Sequence, residues 1–192
     1  VNDRKSPRLM LFMPPRHGKS TLASVAFPAW HLGKNPEHEF ISCSYSGSLA
    51  MNFSRKVRQQ LREPNYKNVF SGVSLDPSSQ SVESWNTTKG GGYVAAGVGG
   101  GITGKGAHVL VIDDPVKNRE DAESEYNRDS VWDWYTSTAY TRLAPGGGVL
   151  VILTRWHDDD LAGKLLSAAA AGADQWEVVK YPAIAEEDEE FR

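Results

Sequence analysis

Short apolar, β-branched runs alternate with longer amphipathic stretches along most of this 192-residue chain. This alternation predicts an α/β fold with a mostly parallel central sheet, because strands covered by helices on both faces are apolar along their whole length. The predicted strands are residues 9–13, 40–45, 109–113, 149–154 and 176–181. The predicted helices are residues 19–32, 48–62, 120 to about 143, and 159–171.

Residues 63–107 follow this alternation less well, since they contain Pro64, Pro77 and a glycine-dense segment. We predict two short antiparallel strands there, residues 82–88 and 93–96, joined by a glycine turn. The chain is then one domain over residues 1–182. Residues 183–192 are acidic and are expected to begin a linker.

Composition excludes several classes of protein. The longest apolar runs, 109–112 and 149–153, are far too short to cross a bilayer, and no signal pattern precedes them, so no membrane partner is expected. Cys43 is the single cysteine, which excludes a disulfide framework and a cysteine-rich zinc site and makes an intracellular setting the default.

The formal net charge of -3 conceals an asymmetry, because residues 1–70 carry a net charge of +7 and residues 71–192 carry -10. Affinity for a polyanion depends on local basic patches, so the total charge does not exclude nucleic acid as a partner.

The strongest chemical motif is the segment 13–21, Met-Pro-Pro-Arg-His-Gly-Lys-Ser-Thr, which follows a predicted strand and opens a predicted helix. In such a loop the backbone amides, the helix N-terminus, a lysine and a Mg²⁺-binding serine hydroxyl hold nucleotide phosphates. Met13 stands where the standard pattern has its first glycine. The predicted nucleotide-binding residues are Pro15, Arg16, His17, Gly18, Lys19, Ser20 and Thr21. Arg16 either reads phosphate or is a solvated surface residue.

A second motif is the apolar run 109–112 that ends in Asp113 and Asp114. Asp113 suits a role in supporting Mg²⁺ together with Ser20, and Asp114 suits orienting and deprotonating the attacking water. The alternative bases are Glu120 and Glu123, although acids are expected at a helix start in any case.

Two further polar sites flank these motifs. Lys105 lies among glycines and either reaches a phosphate, on its own or a neighbouring subunit, or is a solvated turn residue. Thr154, at the end of a buried strand, is expected to sense the γ-phosphate. Arg155 either reads phosphate or pairs with the acids at 158–160. The commoner explanation of these acids is that they lie at a helix N-terminus, where they stabilise the helix dipole. The rarer explanation is that they form a metal site with His157.

Together these motifs resemble the N-terminal ATPase domain of the large terminase subunit of tailed bacteriophages, a DNA-packaging motor. The matching segments are residues 14–20, 44–50, 101–107, 112–115 and 153–163, and they span nearly the whole chain.

The resemblance implies a P-loop NTPase of the ASCE type, with an extra strand between the phosphate-loop strand and the acidic strand. It implies ATP and Mg²⁺ as cofactors, and double-stranded DNA, a portal protein and a small terminase subunit as partners. It also implies a ring of identical subunits at the procapsid portal, in the host cytoplasm and outside the mature virion.

The same resemblance assigns individual residues. Arg16 matches an arginine inside the family's phosphate loop. The predicted catalytic residues are therefore Arg16 together with Lys19, Lys105, Asp114 and Thr154. Lys105 stands where the family usually offers an arginine to the neighbouring subunit, and lysine cannot make the same bidentate contact. The family's nuclease domain has no counterpart in the sequence, so we expect an excised ATPase domain.

Three other functions share part of this pattern. A helicase core would use every ATP motif but normally needs a second motor domain. A small-molecule kinase generally carries an arginine-rich lid, whereas the basic cluster at 55–62 lies along a predicted helix face. A nucleotide-binding assembly module would bind ATP without turnover.

Overall fold

A computed structural model describes residues 8–184. Its strands are β1 (Arg8–Phe12), β2 (Glu39–Ser44), β3 (Leu75–Gln80), β4 (Ser84–Thr87), β5 (Gly92–Gly97), β6 (Ala107–Asp113), β7 (Leu143–Leu153) and β8 (Glu177–Lys180). They form one sheet in the order β3-β4-β5-β2-β6-β7-β1-β8. Neighbours are parallel except in the β3–β4 and β4–β5 pairs, so the mostly parallel α/β sheet predicted from the sequence is confirmed.

Helices connect the parallel strands. They are α1 (Lys19–Thr21), α2 (Phe27–Lys34), α3 (Gly47–Arg62), α4 (Pro64–Val69), α5 (Arg119–Glu123), α6 (Glu125–Trp134) and α7 (Leu161–Ala170). π-helical turns at Leu22–Ala26 and Tyr135–Ala139 and a 3₁₀ turn at Tyr140–Arg142 complete the helical segments.

The sheet separates two hydrophobic cores, because successive residues of a strand point to opposite faces. In β1, Met10 and Phe12 belong to one core, and Leu11 belongs to the other. Residues of α6 and α7 cover the first face, and residues of α2, α3 and α4 cover the second. Both faces of the central strands are therefore buried, which explains their nearly continuous apolar sequence.

The first helix is not the unbroken α-helix predicted for residues 19–32. Its second turn is π-helical, and the Phe27 amide donates to the Leu22 carbonyl five residues earlier. Pro28 explains the change, since it has no N–H for the regular bond to the residue four positions before it. The segment then continues as α2 to Lys34.

The long helix predicted for residues 120–143 is also wrong, since it is broken at Ser124. Asn118 caps α5 by accepting from the Asp121 amide, and Ser124 caps α6 by accepting from the Asn127 amide. An N-capping serine requires an extended backbone, so a new helix begins there.

The glycine-dense region forms the predicted antiparallel pair, β4 and β5, joined through Gly90 and Gly91. Beyond the prediction, β5 also pairs in parallel with β2, so the hairpin extends the main sheet. β3, α4 and the early start of β7 at Leu143 were not predicted, because prolines and glycines interrupt the apolar pattern in these segments.

Two expectations concern features outside the fold itself. Within residues 8–184 no helix is long and apolar enough to span a membrane. The predicted linker at 183–192 lies almost entirely outside the described residues, and the boundary at residue 182 stays a prediction.

Candidate nucleotide-binding site

The phosphate loop follows β1 directly and leads into α1, as predicted. Arg16 and Gly18 have positive φ angles of 63° and 84°, and Gly18 is the N-cap of α1. Left-handed residues in such a loop are typical of the backbone concavities that bind anions. The His17 imidazole Nδ1 lies 2.8 Å from the Pro15 carbonyl oxygen, a bond that holds the loop to itself. Pro15, Arg16, His17, Gly18 and Thr21 are exposed.

Lys19 is the buried residue of this loop, with 7% of its surface exposed. Its ammonium Nζ lies 2.6 Å from Oδ2 of Asp114 and donates to Oγ1 of Thr154 at 3.2 Å. The lysine at the end of the phosphate loop therefore connects to the residues that follow β6 and β7. Three residues predicted separately from the sequence are in direct contact.

Asp113 is the last residue of β6 and is almost completely buried. The Ser24 hydroxyl donates to its Oδ2 at 2.7 Å, and its Oδ1 has no hydrogen-bond partner within the described residues. Burial raises the pKa of this carboxyl above its ordinary value, although the nearby hydroxyls of Ser24 and Ser20 act in the opposite direction. A buried carboxylate oxygen without a partner is costly, so this atom fits a site completed by a bound cation.

Asp114 connects the acidic strand to the strand beside it. Its amide donates to the Ile152 carbonyl at 2.8 Å, and its Oδ1 accepts from the Thr154 amide at 3.0 Å. Thr154 in turn donates its hydroxyl to the Met13 carbonyl at 3.3 Å. The carboxyl ends of β6, β7 and β1 are thus joined by one chain of hydrogen bonds.

Backbone strain is concentrated at the same place. Arg16 and Asp114, with φ angles of 63° and 44°, are the non-glycine residues with positive φ among residues 8–184. Such conformations cost about 1–3 kcal/mol each and collect at functional sites. One of these residues lies in the phosphate loop and the other lies beside Lys19. Their positions indicate a functional site at this edge of the sheet.

Lys105 is not brought into this cluster. It lies exposed in the loop between β5 and β6, and its ammonium group makes no ion pair within residues 8–184. The neighbouring Ile102 is fully buried and anchors the loop. Arg16 is likewise exposed, and no contact of its side chain within the described part of the chain tests its predicted role.

Arg155 pairs with the acidic run that follows it. Its Nε lies 2.6 Å from Oδ2 of Asp160, and its Nη2 donates to the Asp158 carbonyl at 3.0 Å. Asp160 caps α7 by accepting from the Gly163 amide. The helix-terminus explanation is therefore confirmed for Asp160, which is the N-cap of α7. Within residues 8–184 no group of three or more His, Cys, Asp or Glu residues is arranged to hold a metal ion.

The alternative bases, Glu120 and Glu123, are exposed on α5, where Glu123 pairs with Arg119 at 3.5 Å. Of the acids weighed from the sequence, Asp114 is the one in contact with Lys19 and Thr154.

Ser24 is the site residue that the sequence analysis missed. It is fully buried and donates to Asp113 from the π-helical turn after α1. A signal was present, since Ser24 follows the predicted Mg²⁺ ligand Ser20 by four residues, and residues at that spacing share one face of a helix.

Solved structures share this fold. The large terminase from a thermophilic bacteriophage superposes with a TM-score of 0.58 at 10% sequence identity, covering 95% of this chain and 43% of that one. The complex of that terminase with ATP-γ-S gives a TM-score of 0.51 at 11% identity, covering 92% of this chain and 39% of that one. Its complex with ADP gives 0.53 at 11% identity, with coverages of 92% and 40%. This chain thus spans less than half the length of these terminases.

Sequence comparison gives the family. No curated protein matches this chain. Residues 10–192 match the family described as terminase large subunit, T4likevirus-type, N-terminal. That match includes the phosphate loop, the acidic strand end and Thr154, and it confirms the resemblance inferred from the motifs. The chain belongs to the terminase large subunit family, of which it represents the T4-like N-terminal region.

Proposed function

We propose that this chain is a Mg²⁺-dependent ATPase domain that powers the movement of double-stranded viral DNA into a procapsid. The observation that carries the proposal is the contact of Lys19 with both Asp114 and Thr154 at the phosphate loop. A phosphate-binding lysine, a water-activating acid and a residue able to sense the γ-phosphate are the parts that ATP hydrolysis requires.

The strand order supports the narrower assignment to the ASCE type of P-loop NTPase. β7 lies between β1, which carries the phosphate loop, and β6, which carries the acids. Thr154 directly after β7 is consequently placed between Lys19 and Asp114, and it contacts both.

The donor set fits a magnesium ion. Carboxylate and hydroxyl oxygens are the ligands that Mg²⁺ prefers, and Asp113 offers a buried oxygen with no partner among the described residues. Ser20, at the start of α1, is close enough for its hydroxyl to influence the Asp113 carboxyl. Ser20 and Asp113 would hold the ion, and Ser24 would keep the Asp113 carboxylate oriented. Bound there, Mg²⁺ would neutralise charge on the β- and γ-phosphate oxygens.

The remaining residues supply binding and proton transfer. Lys19 would exchange its contact with Asp114 for the β- and γ-phosphates, since a triphosphate offers it several anionic oxygens. Asp114, released from Lys19 and still held by the Thr154 amide, would accept a proton from the attacking water. Thr154 would register the loss of the γ-phosphate through its hydroxyl, which now contacts Lys19 and Met13.

The comparisons with known proteins support ATP as the nucleotide and DNA packaging as the process. The large terminase of the thermophilic bacteriophage was crystallised with ATP-γ-S and with ADP, and its fold covers nearly all of this chain. Membership of the terminase family supports a place in the DNA-packaging machinery. Within that machinery we propose double-stranded DNA, a portal protein and a small terminase subunit as partners. A homo-oligomeric ring at the procapsid portal, in the cytoplasm of the infected host, completes the proposal.

The kinase alternative lacks support from the basic cluster of α3. Arg58 donates to the Gln80 carbonyl at 2.6 Å, and Arg62 donates to the Gln80 side-chain oxygen at 2.5 Å. These arginines are tied to β3, which lies at the edge of the sheet opposite to β8. They are held against the fold rather than mounted on a lid over the nucleotide.

Steady-state ATP hydrolysis tests the proposal. We expect Mg²⁺-dependent turnover that chelation abolishes and that Lys19→Ala lowers by at least about 100-fold. Lys34→Ala, which removes an exposed lysine at the end of α2, serves as the matched control and should leave turnover unchanged. If the parent binds ATP but shows no turnover at any protein concentration, with or without DNA, that result favours a nucleotide-binding assembly module instead.

A further inference from the structure

Ser44, the last residue of β2, carries a buried hydroxyl that has no part in the site described so far. None of its surface is exposed, and its Oγ has no hydrogen-bond partner within residues 8–184. Most buried polar side chains are hydrogen-bonded, because an unpaired one destabilises the fold. The hydroxyl of Ser44 therefore points to a bound group as its partner.

The sheet places this hydroxyl beside the Asp113 carboxylate. Ser44 and Asp113 are direct partners in the parallel pairing of β2 with β6, so their backbones lie one strand spacing apart, about 4.8 Å. Both side chains point to the face of the sheet that also holds Phe40 and Val111, since residues two positions apart in a strand share a face. They extend side by side at the edge of the sheet that carries the phosphate loop.

Asp113 offers a second unpaired oxygen at the same place. Its Oδ2 accepts from Ser24, whereas its Oδ1 has no partner among the described residues. Two oxygens that can accept hydrogen bonds are thus buried next to each other, at the carboxylate assigned to Mg²⁺ in the proposed function. Mg²⁺ dehydrates reluctantly and usually keeps several waters, whose hydrogens face away from the ion. A pair of free acceptors suits such a hydrated cation.

We infer that Ser44 is a positioning residue of the cation site, where its Oγ accepts a hydrogen bond from hydrated Mg²⁺ beside Oδ1 of Asp113. The inference rests on the proposed function, since it assumes that Asp113 supports Mg²⁺. Groups that surround the ligands of a metal orient them, and their loss typically lowers metal affinity about 10- to 100-fold. Ser44 joins Ser20 and Ser24 as the third serine around this carboxylate.

The backbone on both sides of Ser44 is held in place. Its carbonyl accepts from the Val98 amide at 2.8 Å on the side of β5. On the side of β6, the Tyr45 amide donates to the Asp114 carbonyl at 3.1 Å, which continues the strand pairing beyond Asp113. A hydroxyl on so fixed a backbone needs little reordering to hold a ligand, as a positioning residue requires.

Gly97 closes the site on the side away from Asp113. It is the partner of Ser44 in the pairing of β2 with β5, and a Cβ atom there would lie 2.8 Å from the Gly47 amide nitrogen. The start of α3 therefore packs directly against the backbone beside Ser44. Of the two residues paired with Ser44, Asp113 is the one with a side chain to share a ligand.

Ser42 provides a comparison within the same strand. It points to the same face as Ser44, is equally buried, and likewise has an Oγ with no partner within residues 8–184. Its paired neighbours are Ala95 and Val111, and the polar group near it is the Tyr93 hydroxyl rather than a carboxylate. A serine that only fills the core should behave as Ser42 does.

Calorimetric titration with ATP-γ-S, in Mg²⁺ and in EDTA, tests the inference without requiring turnover. The quantity of interest is the factor by which Mg²⁺ tightens binding of the nucleotide. Ser44→Ala should lower this factor about tenfold and leave the Kd in EDTA unchanged. Ser42→Ala, the matched control, should change neither. Ser44→Cys nearly keeps the side-chain volume but offers only a weakly accepting sulfur, so it should behave as the alanine variant does and replaces it if that variant does not fold.

Thermal unfolding separates this role from a structural one. Without Mg²⁺ and nucleotide, Ser44→Ala should unfold at or above the Tm of the parent, because it removes a buried hydroxyl that has no partner in the described part of the chain. Mg²⁺ with ATP-γ-S should raise the Tm of the parent more than that of Ser44→Ala. A lower Tm of Ser44→Ala without ligands, with the effect of Mg²⁺ on affinity unchanged, would make Ser44 a structural residue and overturn the inference.

The remaining outcomes distinguish the inference from the proposed function. Equal effects of Ser44→Ala and Ser42→Ala, or equal losses of affinity in Mg²⁺ and in EDTA, would show a packing defect and overturn the assignment of Ser44. If Ser44→Ala keeps the full effect of Mg²⁺ while Asp113→Asn loses it, the assignment is overturned and the proposed Mg²⁺ site stands. If the parent gains nothing from Mg²⁺, or Asp113→Asn keeps the full gain, the metal site of the proposed function fails and the assignment of Ser44 fails with it.

Discussion

The Lys19 ammonium and the Asp114 carboxylate form an ion pair, with Nζ and Oδ2 2.6 Å apart. The residue predicted to bind phosphates and the residue predicted to activate water thus neutralise each other. In the proposed mechanism ATP binding replaces this contact, because Lys19 cannot hold the phosphates and Asp114 fully at the same time. The same exchange would free the carboxylate that the proposed hydrolysis needs, and it would couple substrate binding to activation of the base.

Asp114→Asn tests this relationship. We expect ATP hydrolysis to fall by about 100-fold or more, because the amide cannot accept a proton from water. ATP binding should be retained or become tighter, since Lys19 no longer has a competing carboxylate. Steady-state turnover and calorimetric titration with ATP measure the two effects.

The control for this prediction is Asp133→Asn, at an exposed aspartate of α6. It changes the net charge equally and should alter neither quantity. Turnover by Asp114→Asn at the parent's rate would show that another acid is the base.

Ser24→Ala tests how the second carboxylate is positioned. Ser24 donates to Asp113 Oδ2, and Asp113 Oδ1 already has no partner among the described residues, so the substitution removes a hydrogen bond that the buried carboxylate needs. We expect a loss of about 1–3 kcal/mol in the free energy of unfolding and a several-fold rise in the Mg²⁺ concentration that half-saturates ATP hydrolysis.

Ser137→Ala, which removes an exposed hydroxyl bound to the Asp133 carbonyl, is the matched control for Ser24. A serine that serves only stability would lower the unfolding free energy without changing the Mg²⁺ dependence. That result would remove Ser24 from the site.

The site was more predictable from the sequence than the helices around it. Asp113, Asp114 and Thr154 follow apolar runs and Lys19 follows shortly after another, and the carboxyl ends of parallel strands share one edge of the sheet. The proximity of these residues follows from that shared edge once the strands are placed. The Lys19–Asp114 pair itself did not follow, because side-chain geometry depends on the left-handed backbone at Asp114.

The predicted helix boundaries were wrong for local reasons. The periodicity of apolar residues contains no information about these local effects. Pro28 converts the preceding turn to a π-helix, and Ser124 begins a new helix inside one amphipathic stretch. Arg128 then stabilises the break, since its Nη1 donates to the carbonyls of Ala122 and Glu123 at 2.8 and 2.9 Å. These carbonyls are at the end of α5, where a helix leaves its acceptors unpaired.

Asp160 combines two stabilising roles that substitutions separate. It is buried, caps α7 through Oδ1 and pairs with Arg155 through Oδ2. Asp160→Ala removes both contacts and should lower the free energy of unfolding by about 3 kcal/mol. Asp160→Asn keeps a capping oxygen but loses the charge, so we expect about half that loss. Urea denaturation measures both, with the exposed Asp133→Ala as control, and equal losses in the two variants would show that the cap contributes nothing.

A cluster of three histidines predicts acid sensitivity of the fold. His31 on α2 lies 3.0 Å from His38, which stacks on His108 of β6. Burial, with His38 and His108 as nearby like charges and Glu37 opposing them, lowers the pKa of His31 to about 4. Because this folded-state pKa is below the unfolded value of about 6.5, the unfolded chain binds more protons, and stability is lost as pH falls from about 6.5 toward about 4.

The expected loss from His31 is roughly 1–2 kcal/mol over that interval, since the side chain is only partly buried. His31→Gln should flatten the dependence of the unfolding free energy on pH across this interval, whereas His17→Gln, at an exposed histidine, should not. An unchanged pH profile in His31→Gln would assign the acid sensitivity to other groups.

Lys105 is predicted to act on the nucleotide of a neighbouring subunit, because it is exposed on a loop held by Ile102 and makes no ion pair within residues 8–184. Lys105→Ala alone should then lose turnover while still binding ATP. Mixing the Lys105→Ala and Lys19→Ala variants should restore activity. A Lys19→Ala subunit still carries Lys105 and can offer it to the intact phosphate loop of a Lys105→Ala neighbour. A Lys89→Ala variant, at an exposed lysine of the β4–β5 turn, should keep the parent's turnover without mixing. Inactivity of the mixture under conditions where the parent assembles would place Lys105 on its own subunit's nucleotide, and full activity of Lys105→Ala alone would make it a solvated turn residue.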